Sequence, residues 1–208
     1  MLTNPLDGIL GTPVKVRLLR ALFARGGPVS GREAARLAGV SSRSAAVEAL
    51  DALSQLGILR RRELSGTHLY EVNRRHDLAP ALEALFRAEW ERLGALGEAV
   101  HSVLDRAHAL GDILSAVVFG SMARGDARPG SDLDLLLITT TEKAATVAEE
   151  ALLASADDLR ARFGAALSPM ALTRARFRAR LRARDPLLHN VLAEGRTLFG
   201  TPIQELAA

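Results

Sequence analysis

The sequence predicts two small domains of different class: a helix-rich domain closed by one β-hairpin, then a helical connector, then an α/β domain with a small mixed sheet. Three observations predict it. Two apolar runs, Ile113–Phe119 and Leu135–Ile138, flank a Gly-rich turn. Before residue 76, apolar residues at helical spacing give way to two short runs around Ser65-Gly66. From Leu78 to Leu110 no strong helix breaker occurs except Pro80, which falls in a first turn where proline is tolerated. With 208 residues, each domain can bury its own core. The expected divisions are 1–76, 77–111 and 112–208.

Along the N-terminal part, Val14, Val16, Leu18, Leu19, Leu22 and Phe23 make one helical face, ended by Gly26-Gly27-Pro28. Ser30-Gly31-Arg32-Glu33 is a capping-box pattern opening a short helix from Glu33 to Ala38, stopped by Gly39. Ser41 is expected to cap the next helix, which carries Ala45, Val47, Leu50, Leu53 and Leu56 and ends at Gly57. Ile58–Leu64 and Thr67–Val72 then read as a hairpin. This order resembles the winged helix-turn-helix of bacterial transcriptional regulators. The resemblance implies that Ser42, Arg43 and Ser44 face double-stranded DNA, with Arg43 the bidentate reader of guanine. It also implies that Arg60, Arg61, Arg62 and His68 supply wing contacts to phosphate. Strand alternation sends Arg61 to the opposite face from Arg60 and Arg62, so the three cannot share one backbone. Such modules also serve as protein-interaction surfaces. Charge favours DNA: residues 1–76 hold 12 Lys and Arg against 6 Asp and Glu, whereas 112–208 hold 12 of each.

In the connector, Leu82, Leu85, Leu93, Leu96, Val100, Val103, Ala107 and Leu110 repeat at spacings of three and four, widened by Phe86 and Trp90. One long helix is expected, or two broken near Gly94 and Gly97. The stripe serves either core packing or a homodimer seam. The seam is favoured, because helix-turn-helix proteins read paired half-sites.

In the C-terminal part, Thr141 to Phe163 reads as a helix and 165–172 as a strand. An arginine-dense stretch from Arg174 to Arg184 is read as a solvated, partly ion-paired helix. Asp185-Pro186 opens a last helix, and 195–200 closes the domain as a strand. His189, alone on that last helix, is left out of any site.

The turn between the two apolar runs reads Gly-Ser-Met-Ala-Arg-Gly-Asp-Ala-Arg-Pro-Gly-Ser-Asp-Leu-Asp over residues 120–134. Asp132 and Asp134, two apart on a strand, share a face and repel unless a cation lies between them. Mg²⁺ takes oxygen ligands and keeps water and substrate phosphate in its other positions. Gly120 allows close backbone approach, and Ser121 offers donors to an anion. Gly120, Ser121, Ala123, Arg124, Gly125, Ser131, Asp132, Asp134 and Leu135 match the signature of the minimal nucleotidyltransferases of the DNA polymerase β superfamily, which the domain resembles. The resemblance implies nucleoside triphosphate binding at Gly120, Ser121, Arg124, Gly125 and Ser131. It makes Asp132 and Asp134 the catalytic residues and ligands of Mg²⁺. It also implies a third carboxylate on the next core strand as general base. Here Ser168 or Met170 stands in its place, and a positioned base contributes roughly 10²–10⁴-fold.

No apolar run reaches the length of a membrane span, no signal peptide is read at the N-terminus, and the chain has no cysteine, which fits a reducing cytoplasm. Two functions are expected from these readings. The first is a DNA-binding transcriptional regulator whose C-terminal domain binds nucleotide and Mg²⁺ as a signal, or keeps a degenerate site. The second is an active nucleotidyltransferase acting on a protein, RNA or small molecule.

Overall fold

Proline and a hydroxyl cap set the first helices. Pro5 and Pro13 stand in the first turns of α1 (Pro5–Leu10) and α2 (Pro13–Arg25), where a missing N–H costs no helical hydrogen bond. Thr12 Oγ1 accepts from the Lys15 N–H at 3.3 Å. The computed structural model describes residues 4–128 and 130–208, and the chain divides into two units between Trp90 and Glu91. α1 carries too few apolar positions to announce itself as a periodic pattern, and it buries Ile9.

The first unit continues through β1 (Val29–Ser30), α3 (Gly31–Leu37), α4 (Arg43–Gln55), β2 (Leu59–Leu64), β3 (Thr67–Val72) and α5 (Ala79–Trp90). Ser30 caps α3 by accepting from the Glu33 N–H. The cap of α4 is Ser42, not Ser41: Ser42 Oγ accepts from the Ala45 N–H at 3.3 Å, three residues ahead as an N-cap requires. The strands form an antiparallel sheet in the order β1-β3-β2. Ser65 and Gly66 both have positive φ, 49° and 74°, the conformation of a two-residue hairpin turn. Leu18, Leu19 and Leu22 of α2, Leu50 and Leu53 of α4, and Leu82 and Phe86 of α5 pack into one core. Full burial of each such side chain contributes about 1.5–3 kcal/mol.

The segment at 77–111 holds two helices, α5 and α6 (Arg92–Arg106), interrupted at Glu91 and not at either glycine. Gly97 sits inside α6, where an added Cβ would lie 3.5 Å from Leu198. The apolar stripe is shared out: Leu82 and Phe86 join the first core, while Leu96, Val100 and Val103 join the second.

The second unit runs from α6 through a short 3₁₀ turn (Leu110–Asp112), β4 (Ile113–Phe119), α7 (Gly120–Arg124), β5 (Leu133–Thr139), α8 (Glu142–Ala154), α9 (Ala156–Phe163), β6 (Leu167–Thr173), α10 (Arg174–Arg182), α11 (Pro186–Glu194), β7 (Arg196–Gly200) and α12 (Ile203–Ala207). The single helix expected over Thr141–Phe163 is two, because the backbone leaves helical geometry at Ser155 (φ −99°, ψ 9°). The sheet order is β6-β5-β4-β7, with β5 and β6 parallel and the other pairs antiparallel. Strand alternation divides the apolar residues between two faces. Ala116, Val118, Leu133, Leu135 and Leu137 pack with residues of α6, α8 and α9. Val117, Phe119, Leu136 and Ile138 pack with Phe177, Leu188, Val191, Ile203 and Leu206 of α10, α11 and α12. Burial on both faces explains the continuous apolar runs in β4 and β5. Among the described residues, no helix is long and apolar enough to cross a membrane.

Candidate functional site

β4 and β5 hold the Gly-rich turn between them. Phe119, the last residue of β4, pairs with Asp134, the second residue of β5. Gly120 follows with φ +69°, and any Cβ there would collide with the Asp134 carboxylate. The backbone angle favours glycine at this position, and a Cβ would also have to displace the Asp134 carboxylate. Gly125, φ +81°, ends α7 and returns its N–H to the Ser121 carbonyl at 3.0 Å. Ser131 Oγ accepts from the Arg128 N–H at 2.9 Å, which ties the loop back before the acids. Asp132 is exposed just ahead of β5, and Asp134 is half-buried within it.

Burial pushes the Asp134 carboxyl above its ordinary value, and the charge of Asp132 pushes it the same way; Arg124 opposes them. Two carboxylates that repel each other would suit a hard divalent cation, which would relieve the repulsion. Arg124 is engaged elsewhere: its Nη1 donates to Glu194 Oε2 at 2.8 Å and its Nε to Asp126 Oδ2 at 3.2 Å. These two acids hold its guanidinium further above its usual value, Glu194 contributing most. Glu194 ends α11, 70 positions from Arg124, and no local pattern pointed to it.

β6 lies parallel to β5 with Ser168 directly beside Asp134 and Met170 beside Leu136. Neither Ser168 nor Met170, the two positions at which a third carboxylate was expected, is an acid, and Ser168 is the one in register with Asp134. Among the described residues, no cluster of three or more His, Cys, Asp or Glu side chains is placed to hold a metal ion. Asp185 is committed elsewhere, with Oδ2 accepting from Arg180 Nε at 2.7 Å and Oδ1 from the Leu187 N–H at 2.9 Å. Arg180 holds that carboxyl below its ordinary range. His189 is exposed, its Nδ1 2.9 Å from the Asp185 carbonyl oxygen.

The residues expected to meet DNA fall on two sides of the hairpin. Ser42, Arg43 and Ser44 are exposed at the start of α4, and Ser42 Oγ lies 3.1 Å from Ser44 Oγ. Arg43 and His68 line one groove of about 460 Å³, with Arg32, Val47 and Tyr70. Arg32 was read from sequence only as part of a capping pattern. Across the strands, Arg61 stands opposite Tyr70 and Glu63 opposite His68, so these four share the face towards the groove. Asp51 of α4 fixes that face: its Oδ1 accepts from Arg61 Nη1 and from the Tyr70 hydroxyl, each at 3.0 Å. Arg60 opposes Glu71 and Arg62 opposes Leu69, on the other face. Arg60 and Arg62 therefore line a separate cleft, and Arg62 is ion-paired to Glu71 at 2.9 Å.

Residues 102–203 match the family model described as polymerase beta, nucleotidyltransferase, and carry a nucleotidyltransferase-like domain. Among solved structures, a toxin–antitoxin complex with AMP-PNP is similar at 17% identity, covering 53% of this chain and 80% of its own with a TM-score of 0.35. A mutant of the toxin–antitoxin pair MntA–HpeT is similar at 15% identity, with the same coverages and TM-score. No curated protein matches the chain.

Proposed function

We propose that the chain is a DNA-binding transcriptional regulator. Its N-terminal unit acts as a winged helix-turn-helix, working as a homodimer, and its nucleotidyltransferase-like domain binds a nucleoside triphosphate with Mg²⁺ as a signal. The observation that favours signal binding over transfer is Ser168 beside Asp134. A serine hydroxyl is too weak a base to take a proton from an acceptor at neutral pH. Asp132 and Asp134 would hold the ion, which neutralises phosphate charge when bound. Ser121 and the α7 backbone would meet phosphate oxygens, and Arg124 would exchange Glu194 for phosphate. In the other unit, Arg43 would read a base edge from the start of α4, and His68 with Arg32 would line the path of the backbone.

Calorimetric titration of the full chain with each triphosphate and Mg²⁺ tests the nucleotide half. Binding is expected in wild type and lost in the Asp132→Asn, Asp134→Asn double variant, because a hard cation needs anionic oxygen ligands. Identical binding by both proteins, or no binding at millimolar nucleotide, removes the signal from the proposal. Transfer of labelled α-phosphate to any acceptor should be at background. Turnover of a few per minute that disappears in Asp132→Ala would instead make the chain a working nucleotidyltransferase with its base supplied from elsewhere.

A further inference from the structure

We propose that the hairpin carries a second phosphate-binding site on the face turned away from Arg43, where Arg60, Arg62, Arg74 and Arg75 surround a cleft floored by Gly26 and Gly27. The cleft measures about 340 Å³ and its one acidic lining residue is Glu71. Four guanidiniums against one carboxylate leave an uncompensated positive charge in a concave setting. Two of the four are already answered, Arg62 by Glu71 at 2.9 Å and Arg74 by Glu83 at 2.6 Å. Among the described residues, Arg60 and Arg75 have no carboxylate within ion-pair reach. Arg60 is half-buried, so its charge is not simply a solvated surface charge.

The floor suits an anion with several oxygens. Gly26 and Gly27 have φ of +61° and +82°, and an added Cβ at either would meet nothing within 4 Å, so the space above them is open. The arginines come from two segments of the chain, two from β2 and two from the turn after β3, and all four line the same cleft. Guanidinium forks bind phosphate oxygens bidentately, and a divided set of forks favours a ligand bearing more than one phosphate. The ligand class is a phosphate chain, either the backbone of a duplex lying against the hairpin or a free polyphosphate. Only the duplex form rests on the DNA-binding reading above.

The test uses the full chain and the double variant Arg60→Gln, Arg75→Gln, which removes the two unpaired charges and breaks no ion pair. Inorganic tripolyphosphate is titrated calorimetrically in EDTA, so that the Asp132/Asp134 site is without metal. A 30-base-pair duplex is titrated by anisotropy in the same buffer. The double variant should weaken at least one ligand tenfold or more, and Glu71→Gln, which frees Arg62, should tighten the same ligand several-fold. Loss confined to tripolyphosphate identifies a free polyphosphate site, and loss confined to the duplex identifies a backbone contact. Arg43→Ala supplies the control on the other face: if it abolishes duplex binding while the double variant does not alter either ligand, the recognition helix stands and this site falls. Unchanged binding of both ligands in the double variant and in Glu71→Gln overturns the proposal.

Discussion

Burial and the neighbouring Asp132 raise the Asp134 carboxyl, so the folded chain holds a proton there more tightly than the unfolded chain. Stability contributed at this position is complete below the unfolded-state value and is lost as pH rises through the folded-state value. At neutral pH the ionised acid is therefore held at a cost to the fold. Asp134→Asn should melt above wild type at pH 7, with the gap closing as pH falls through the carboxylate range. A lower melting temperature at pH 7 would show that the acid makes a stabilising contact outweighing the repulsion. Gly120→Ala acts on the same atoms from the other strand. The left-handed backbone angle costs about 1–2 kcal/mol, and the collision with Asp134 adds to it. Gly164→Ala, also at positive φ but with open space around it, isolates the backbone part. Chemical denaturation should show Gly120→Ala losing more stability than Gly164→Ala, and only Gly120→Ala should lose Mg²⁺–triphosphate binding. Equal losses would mean that the collision relaxes without cost.

At the level of elements, α4 and the hairpin divide the basic residues into two faces, which separates their expected effects on DNA. Arg43→Ala should cost about 1–3 kcal/mol on a specific site and little on random duplex, since a base-edge contact is lost. His68→Ala should weaken both duplexes alike, as a backbone contact does. For a dimer releasing about 6–8 counterions, the log–log salt slope should be roughly −5 to −7. Wild-type affinity in both variants together with a flat salt dependence would make the unit a protein-interaction module. The two-face arrangement was half legible. Alternation alone separates Arg61 from Arg60 and Arg62, because period two is a property of any strand. It cannot say that Asp51 of α4 collects Arg61 and Tyr70, since that pairing depends on how helix and sheet meet. The same limit hid Glu194, which reaches Arg124 only because α11 packs against the sheet face beside α7. The Gly-rich turn was legible for the opposite reason: its glycines, its loop ties and Asp134 answer to neighbours within 15 residues. Helix interruptions at Glu91 and Ser155 carry no glycine or proline; at Glu91 the two halves enter different cores, whereas the helices on either side of Ser155 share one. Conversely Gly97, a nominal breaker, sits within α6 with its open side against Leu198.

For the molecule as a whole, the signal reading demands that the two units exchange free energy. A ligand shifts DNA binding only by its differential affinity for the DNA-competent and DNA-incompetent states. Couplings of this kind are typically about 1–3 kcal/mol, or roughly 5–150-fold in affinity. Duplex titrations with and without saturating Mg²⁺–triphosphate should therefore differ by a factor in that range, in either direction. Linkage then fixes a second, independent measurement: saturating duplex must change triphosphate affinity by the same factor. The Asp132→Asn, Asp134→Asn variant should bind duplex with the affinity of nucleotide-free wild type and show no response to triphosphate. A response that persists in this variant would place the effector elsewhere, with the arginine cleft of the hairpin as the site to test, since it would bind the same polyphosphate chain without metal. Two factors both equal to one would mean that the units share a chain without sharing a signal. The nucleotidyltransferase-like domain would then act on its own, and regulation by nucleotide would have to be given up.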